Sequence, residues 1–94
     1  MQALVEHLLA PVLRHPRSLK LQVVEGEAAT IIEAVVHSDD RAALEDDGER
    51  TLRAVRTVVS AAAGRTRATF ELVDVLSDPA TLAAAAADDG AGEA

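Results

Sequence analysis

The chain of 94 residues contains no cysteine, tryptophan or tyrosine, and only one phenylalanine. Without cysteine it has no disulfide, no thiolate metal site and no thiol nucleophile. Without tryptophan or tyrosine it offers almost no surface on which nucleobases could stack. No apolar run approaches the ~20 residues that a membrane-spanning helix needs. The N-terminal stretch lacks the basic start of a secretion signal, and Glu6 and His7 interrupt its apolar run. The cytoplasm is therefore the expected compartment. There is no Walker loop, no dinucleotide fingerprint, no evident pair of catalytic acids and no internal repeat. No enzyme activity, cofactor or metal is expected.

What the chain does have is aliphatic. Hydrophobic residues make up 49%, and 20 residues are alanine. The other apolar residues are almost all Leu, Val and Ile, enough for one modest core in one small domain. Nine Lys and Arg against 16 Asp and Glu give a formal net charge of −7. That balance argues against gripping nucleic acid by bulk charge. The acids are concentrated. Asp39, Asp40, Glu45, Asp46, Asp47 and Glu49 face only Arg41 within one short stretch, and Asp78, Asp88, Asp89 and Glu93 have no nearby base in the sequence. The rest of the chain is mildly basic.

Periodicity predicts a helix over 2–14, with Leu4, Val5, Leu8, Leu9, Val12 and Leu13 on one face. Pro11 should kink or loosen it, and Pro16 should end it. Residues 19–25 alternate as a strand, Glu25-Gly26-Glu27 is a turn, and the β-branched run over 28–37 completes a hairpin. Ser38 or Asp39 can cap a short helix over 39–45. Asp46-Asp47-Gly48 is a tight loop. A longer helix follows over 49–63, with Leu52, Val55, Val59 and Ala62 on one face and Gly64 at its end. Residues 66–75 form a third strand. The Ala-rich, acidic stretch 77–94 reads as a tail, disordered or a frayed helix, because short isolated helices are marginal in water.

Val55-Arg56-Thr57-Val58-Val59 followed by three alanines, and Leu13-Arg14-His15-Pro16 leading into an alternating strand and a Val-Glu-Gly turn, resemble the small bacterial single-KH-domain RNA-binding proteins of the KhpA or YlqC-like family. The resemblance covers residues 2–74 in register. It implies an α+β fold over 1–76, the type II KH arrangement αββααβ, with three helices on one face of a three-stranded mixed sheet. It also implies single-stranded RNA as a ligand, a homodimer, and pairing with a larger KH-domain protein.

KH domains join two helices by a Gly-x-x-Gly loop that lets the nucleic-acid backbone approach closely. In register, that loop here is Asp46-Asp47-Gly48-Glu49, with acids at both glycine positions. Each carboxylate beside a phosphate adds repulsion of roughly 1 kcal/mol in water. The resemblance thus implies weakened RNA affinity. The alternative is a KH-fold dimerisation module that no longer binds nucleic acid. Ala42, Ala43, Leu44 and Val58 are the expected dimer surface.

Candidate nucleic-acid-binding residues are Asp46, Asp47, Gly48, Glu49, Arg50, Arg53 and Arg56. The three arginines recur every three residues and could form a phosphate-facing stripe. They could equally be a solvated face with a Glu49–Arg53 ion pair. The loop acids could repel or select a partner, hold a divalent cation, or simply be solvated, and Asp47 could cap the long helix. His7, His15 and His37 lie far apart on different elements and are not expected to form a metal or catalytic set. His37, Ser38 and Asp39 are too close along the chain for a triad. Phe70 is expected in the core rather than as a stacking platform.

Overall fold

The computed structural model describes residues 1–87. Helix α1 (Gln2–Leu9) buries Val5 and Leu9, one turn apart on the same side. It ends sooner than the apolar pattern suggests. Pro11 sits at the start of a tighter 3-10 turn, Ala10–Val12, where its missing N–H costs nothing. This change of pitch leaves Val12 half exposed, while Leu13 still reaches the core. Pro16 opens a second 3-10 turn, Pro16–Ser18.

Strands β1 (Lys20–Glu25) and β2 (Ala29–Val35) pair antiparallel, with Val23 opposite Ile32. Strand β3 (Arg67–Leu72) runs parallel to β2, with Ile32 opposite Phe70. The order is β1-β2-β3, a three-stranded mixed sheet in an α+β fold. Side chains alternate across a strand, so Leu21, Val23, Ile32, Ala34, Phe70 and Leu72 share one face. Onto that face pack α1, Leu44 of α2 (Ser38–Asp46), and Leu52, Val55 and Val59 of α3 (Arg50–Ala63). Phe70 is thus a core residue. Leu44, expected at a dimer surface, is buried in the same core, because α2 is rotated to set it against α3.

The N-cap of α2 is neither Ser38 nor Asp39. His37 Nδ1 accepts the Asp39 N–H at 3.1 Å. Asp40, in the first turn of α2, turns inward and accepts N–H groups from Arg14 at 2.7 Å and His15 at 2.9 Å. Burial raises the pKa of this carboxyl, but the two N–H bonds and the charges of His15 and His37 outweigh it and hold Asp40 below its ordinary value. The clamp brings His15 against His37, ring on ring, with centroids 3.9 Å apart. Two histidines expected to lie apart are therefore neighbours.

The second correction concerns the stretch read as a tail. Residues Pro79–Ala87 form helix α4, which lies across β1 and β2. Leu82 and Ala86 are buried there, outside the main core. Glu33, on the face of β2 opposite Ile32, accepts the N–H and the Oγ hydrogen of Ser77 at 2.8 and 2.7 Å. Gln22 Nε2 donates to the Ser77 carbonyl at 2.8 Å. Gly26 has no side chain to obstruct the approach: a Cβ there would stand 2.7 Å from the Ala86 backbone. The segment is ordered because an uncovered sheet face and two small residues let it dock, not because alanines form helices. The remainder of that stretch, 88–94, lies outside the described residues. No helix among the described residues is long and apolar enough to cross a membrane.

Removing residues 77–94 should therefore lower thermal stability rather than leave it unchanged. Leu82→Ala alone should cost about 2 kcal/mol, and Gly26→Ala should destabilise by displacing α4. Thermal denaturation of the two point variants checks this, and wild-type melting in both would show α4 undocked.

Candidate nucleic-acid interface

The junction of α2 and α3 is built from the four residues Asp46-Asp47-Gly48-Glu49, three of them acids. Asp46 ends α2, and the chain reverses at Gly48 (φ 73°) and Glu49 (φ 60°). Both are left-handed. Glycine adopts that conformation freely, but for a residue with a Cβ it costs roughly 1–2 kcal/mol. Glu49 is the only non-glycine residue with positive φ among the described residues.

Asp47 faces inward to the helix start. Its carboxylate accepts the Arg50 N–H at 3.0 Å and the Thr51 Oγ hydrogen at 2.9 Å. The Thr51 hydroxyl bond, helped by the Arg50 and Thr51 N–H groups and the Arg50 charge, outweighs desolvation and holds Asp47 below the ordinary carboxylate value. A helix N-terminus with free N–H groups attracts phosphate. Here the protein's own carboxylate occupies that position.

The arginines are divided in the same way. Arg50 is exposed. Arg53 Nη2 donates to the Gly48 carbonyl at 3.0 Å. Arg56 Nε donates to the Phe70 carbonyl at 3.1 Å, and its Nη1 lies 3.7 Å from Glu49. Glu49 thus pairs with Arg56, two turns along α3, rather than with Arg53. The left-handed turn sets its side chain over that part of the helix. Two of the three arginines are held by the protein's own carbonyls, so the free phosphate-facing stripe is reduced to Arg50.

Beside the junction, α2, α3 and β3 border an open cleft of 320 Å³, which includes Arg41, Glu45, Glu49, Arg56 and Glu71. Three carboxylates stand against two guanidiniums. Arg41 is itself engaged, with Asp74 at 2.6 Å and Glu45 at 3.4 Å. Arg41 and Glu45 are neighbours one turn apart on α2, whereas Glu71, which the sequence does not single out, joins them because β3 is threaded parallel to β2. Among the described residues, Asp46, Asp47 and Glu49 do not converge as a set of metal ligands. Comparison with known proteins gives no match: no family model, no curated protein and no solved structure matches the chain.

Asp47→Ala should lower the melting temperature by a few degrees near neutral pH. Asp47 is depressed in the folded state, so its contribution is present above the unfolded value of about 3.9 and lost as pH falls through the lower folded value. The gap between natural and variant melting temperatures should therefore narrow below about pH 4. Glu49→Gly should do the opposite and stabilise by about 0.5–1 kcal/mol, since relief of the left-handed backbone exceeds a weak exposed ion pair. Denaturant titration measures it, and a destabilised Glu49→Gly would show that the turn is not strained.

Proposed function

We propose that this chain is a KH-type domain with weak affinity for single-stranded RNA, its phosphate-binding junction closed by its own carboxylates. The reading is carried by the pair of left-handed residues, Gly48 and Glu49, at a tight junction between two helices. A glutamate kept in a conformation suited to glycine is understandable where the loop shape matters more than the side chain. Support also comes from the element order. A helix, a hairpin, two helices and a third strand parallel to the middle one agree with the arrangement that the KH resemblance implies. On this reading Arg50 meets phosphate at the rim, while the cleft behind it, with its excess of carboxylates, repels the rest of the strand.

A second reading is favoured by the engagement of Arg53 and Arg56 with backbone carbonyls. With those cations committed, the fold would serve as a pairing module. Ala42, Ala43 and Val58 remain exposed on α2 and α3, while Leu44 is withdrawn into the core. The partner would be a second copy, or a larger KH-domain protein.

Titration with single-stranded RNA at two salt concentrations separates the readings. The natural protein should bind with a dissociation constant above about 10 μM. Asp47→Lys with Glu49→Gly frees the helix start and changes two charges from −2 to +1, and should tighten binding about tenfold or more at low salt. The gain should shrink as salt rises, because phosphate contacts act through counterion release. Should a folded double variant bind no better than an equally inert natural protein, the RNA reading falls. The pairing reading then requires a dimer by sedimentation at micromolar concentration.

A further inference from the structure

The pair of histidines that the fold brings together is joined by a carboxylate. Asp39 Oδ2 lies 3.4 Å from His15 Nε2 and 3.7 Å from His37 Nδ1. One potential ligand atom from each of the three residues lies within 4.8 Å of the others. We propose that His15, His37 and Asp39 form a binding site for one zinc-class divalent cation.

Three observations carry this assignment. The first is spacing. Around a tetrahedral zinc ion with bonds of about 2.0–2.1 Å, neighbouring ligand atoms are about 3.4 Å apart. Both nitrogen–oxygen separations are already near that value, and a rotation that opens the ring stack would turn the two in-plane lone pairs toward one point. The second is freedom to make that rotation. The His15 and His37 side chains are 41% and 38% exposed, and Asp39 lies on the solvent side.

The third is the frame. His15 belongs to the connection between α1 and β1, whereas His37 and Asp39 belong to the start of α2. Asp40 joins the two segments from beneath by accepting both the Arg14 and His15 N–H groups. The ligands therefore sit on a backbone that is already assembled. The Asp39 N–H donates to His37 Nδ1, so that nitrogen carries the lone pair and the other ring nitrogen the hydrogen. Coordination would exchange this hydrogen bond for a metal bond.

The donor set selects the class of ion. Two imidazole nitrogens and one carboxylate suit zinc and its borderline neighbours, while magnesium and calcium prefer oxygen throughout. Three protein ligands leave a fourth position open to water or to a group from another molecule, the pattern of an accessible rather than a closed site. The site lies away from the Asp46–Glu49 junction and does not rest on the RNA reading.

Zinc titrated calorimetrically into the full chain, after chelator treatment and at neutral pH, should give saturable binding at one ion per chain in the micromolar range. Magnesium should give none. His15→Ala and His37→Ala should each weaken zinc binding about tenfold or more. His7→Ala, on the exposed side of α1, should leave it unchanged. Because the alanine variants also remove the ring stack, the natural protein supplies a second readout by magnetic resonance. Zinc should shift the imidazole signals of His15 and His37 together and leave that of His7 in place. No saturable binding at ~100 μM zinc, or ring shifts led by His7, would overturn the proposal.

Discussion

One buried carboxylate holds the first third of the chain to the second. Asp40 leaves the first turn of α2, passes inward, and accepts two successive N–H groups from Arg14 and His15. An unpaired buried N–H is expensive, and a charged acceptor makes the stronger kind of hydrogen bond. The bend after α1 therefore has one low-energy position, and that position sets where α1 meets the sheet, where α2 begins and how the two histidine rings stack. Without the clamp, α2 would be tied to the fold mainly through Leu44.

The same chemistry recurs at two other joints. Asp47 accepts the first N–H of α3, and Glu33 accepts the N–H and hydroxyl of Ser77 at the approach to α4. Each is a carboxylate that stabilises a change of chain direction. The acidic composition is thus partly structural: the residues that make the protein negative also fasten its corners. At the α2–α3 junction the group that secures the helix start also occupies the place an anion would take.

The sheet and α3 were legible in the sequence because their patterns are local. Leu21 and Val23 alternate with Lys20, Gln22 and Val24 in β1, and Leu52, Val55 and Val59 repeat at helical spacing. The candidate junction was legible as a position but not as a geometry. That Asp47 could serve the start of the long helix was readable from its position, but its bond to the Thr51 hydroxyl and the left-handed turn at Glu49 were not. The docking of α4 was hidden because a run of alanines has no visible face, and Leu82 and Ala86 differ from their neighbours only by what lies opposite. The His15–His37 contact was concealed by sequence distance. The hairpin register that pairs Lys20 with Val35 brings the chain beyond one strand back toward the chain before the other. Two distant histidines become neighbours through an ordinary antiparallel pairing.

The placement of α4 has a consequence for how copies of this molecule meet in a crowded solution. It covers β1 and β2 on the outer side and leaves the outer side of β3 bare. The residues there, Arg67, Thr69 and Glu71, are exposed and polar, and alternate with the buried side of the strand. A bare strand at the border of a sheet is a template for adding another strand, and charges of both signs on it oppose such growth unless the incoming chain matches their order. The half of the outer face that carries Val24 and Ile31 thus lies under a helix, while the uncovered half carries its own guard against fibrous self-association.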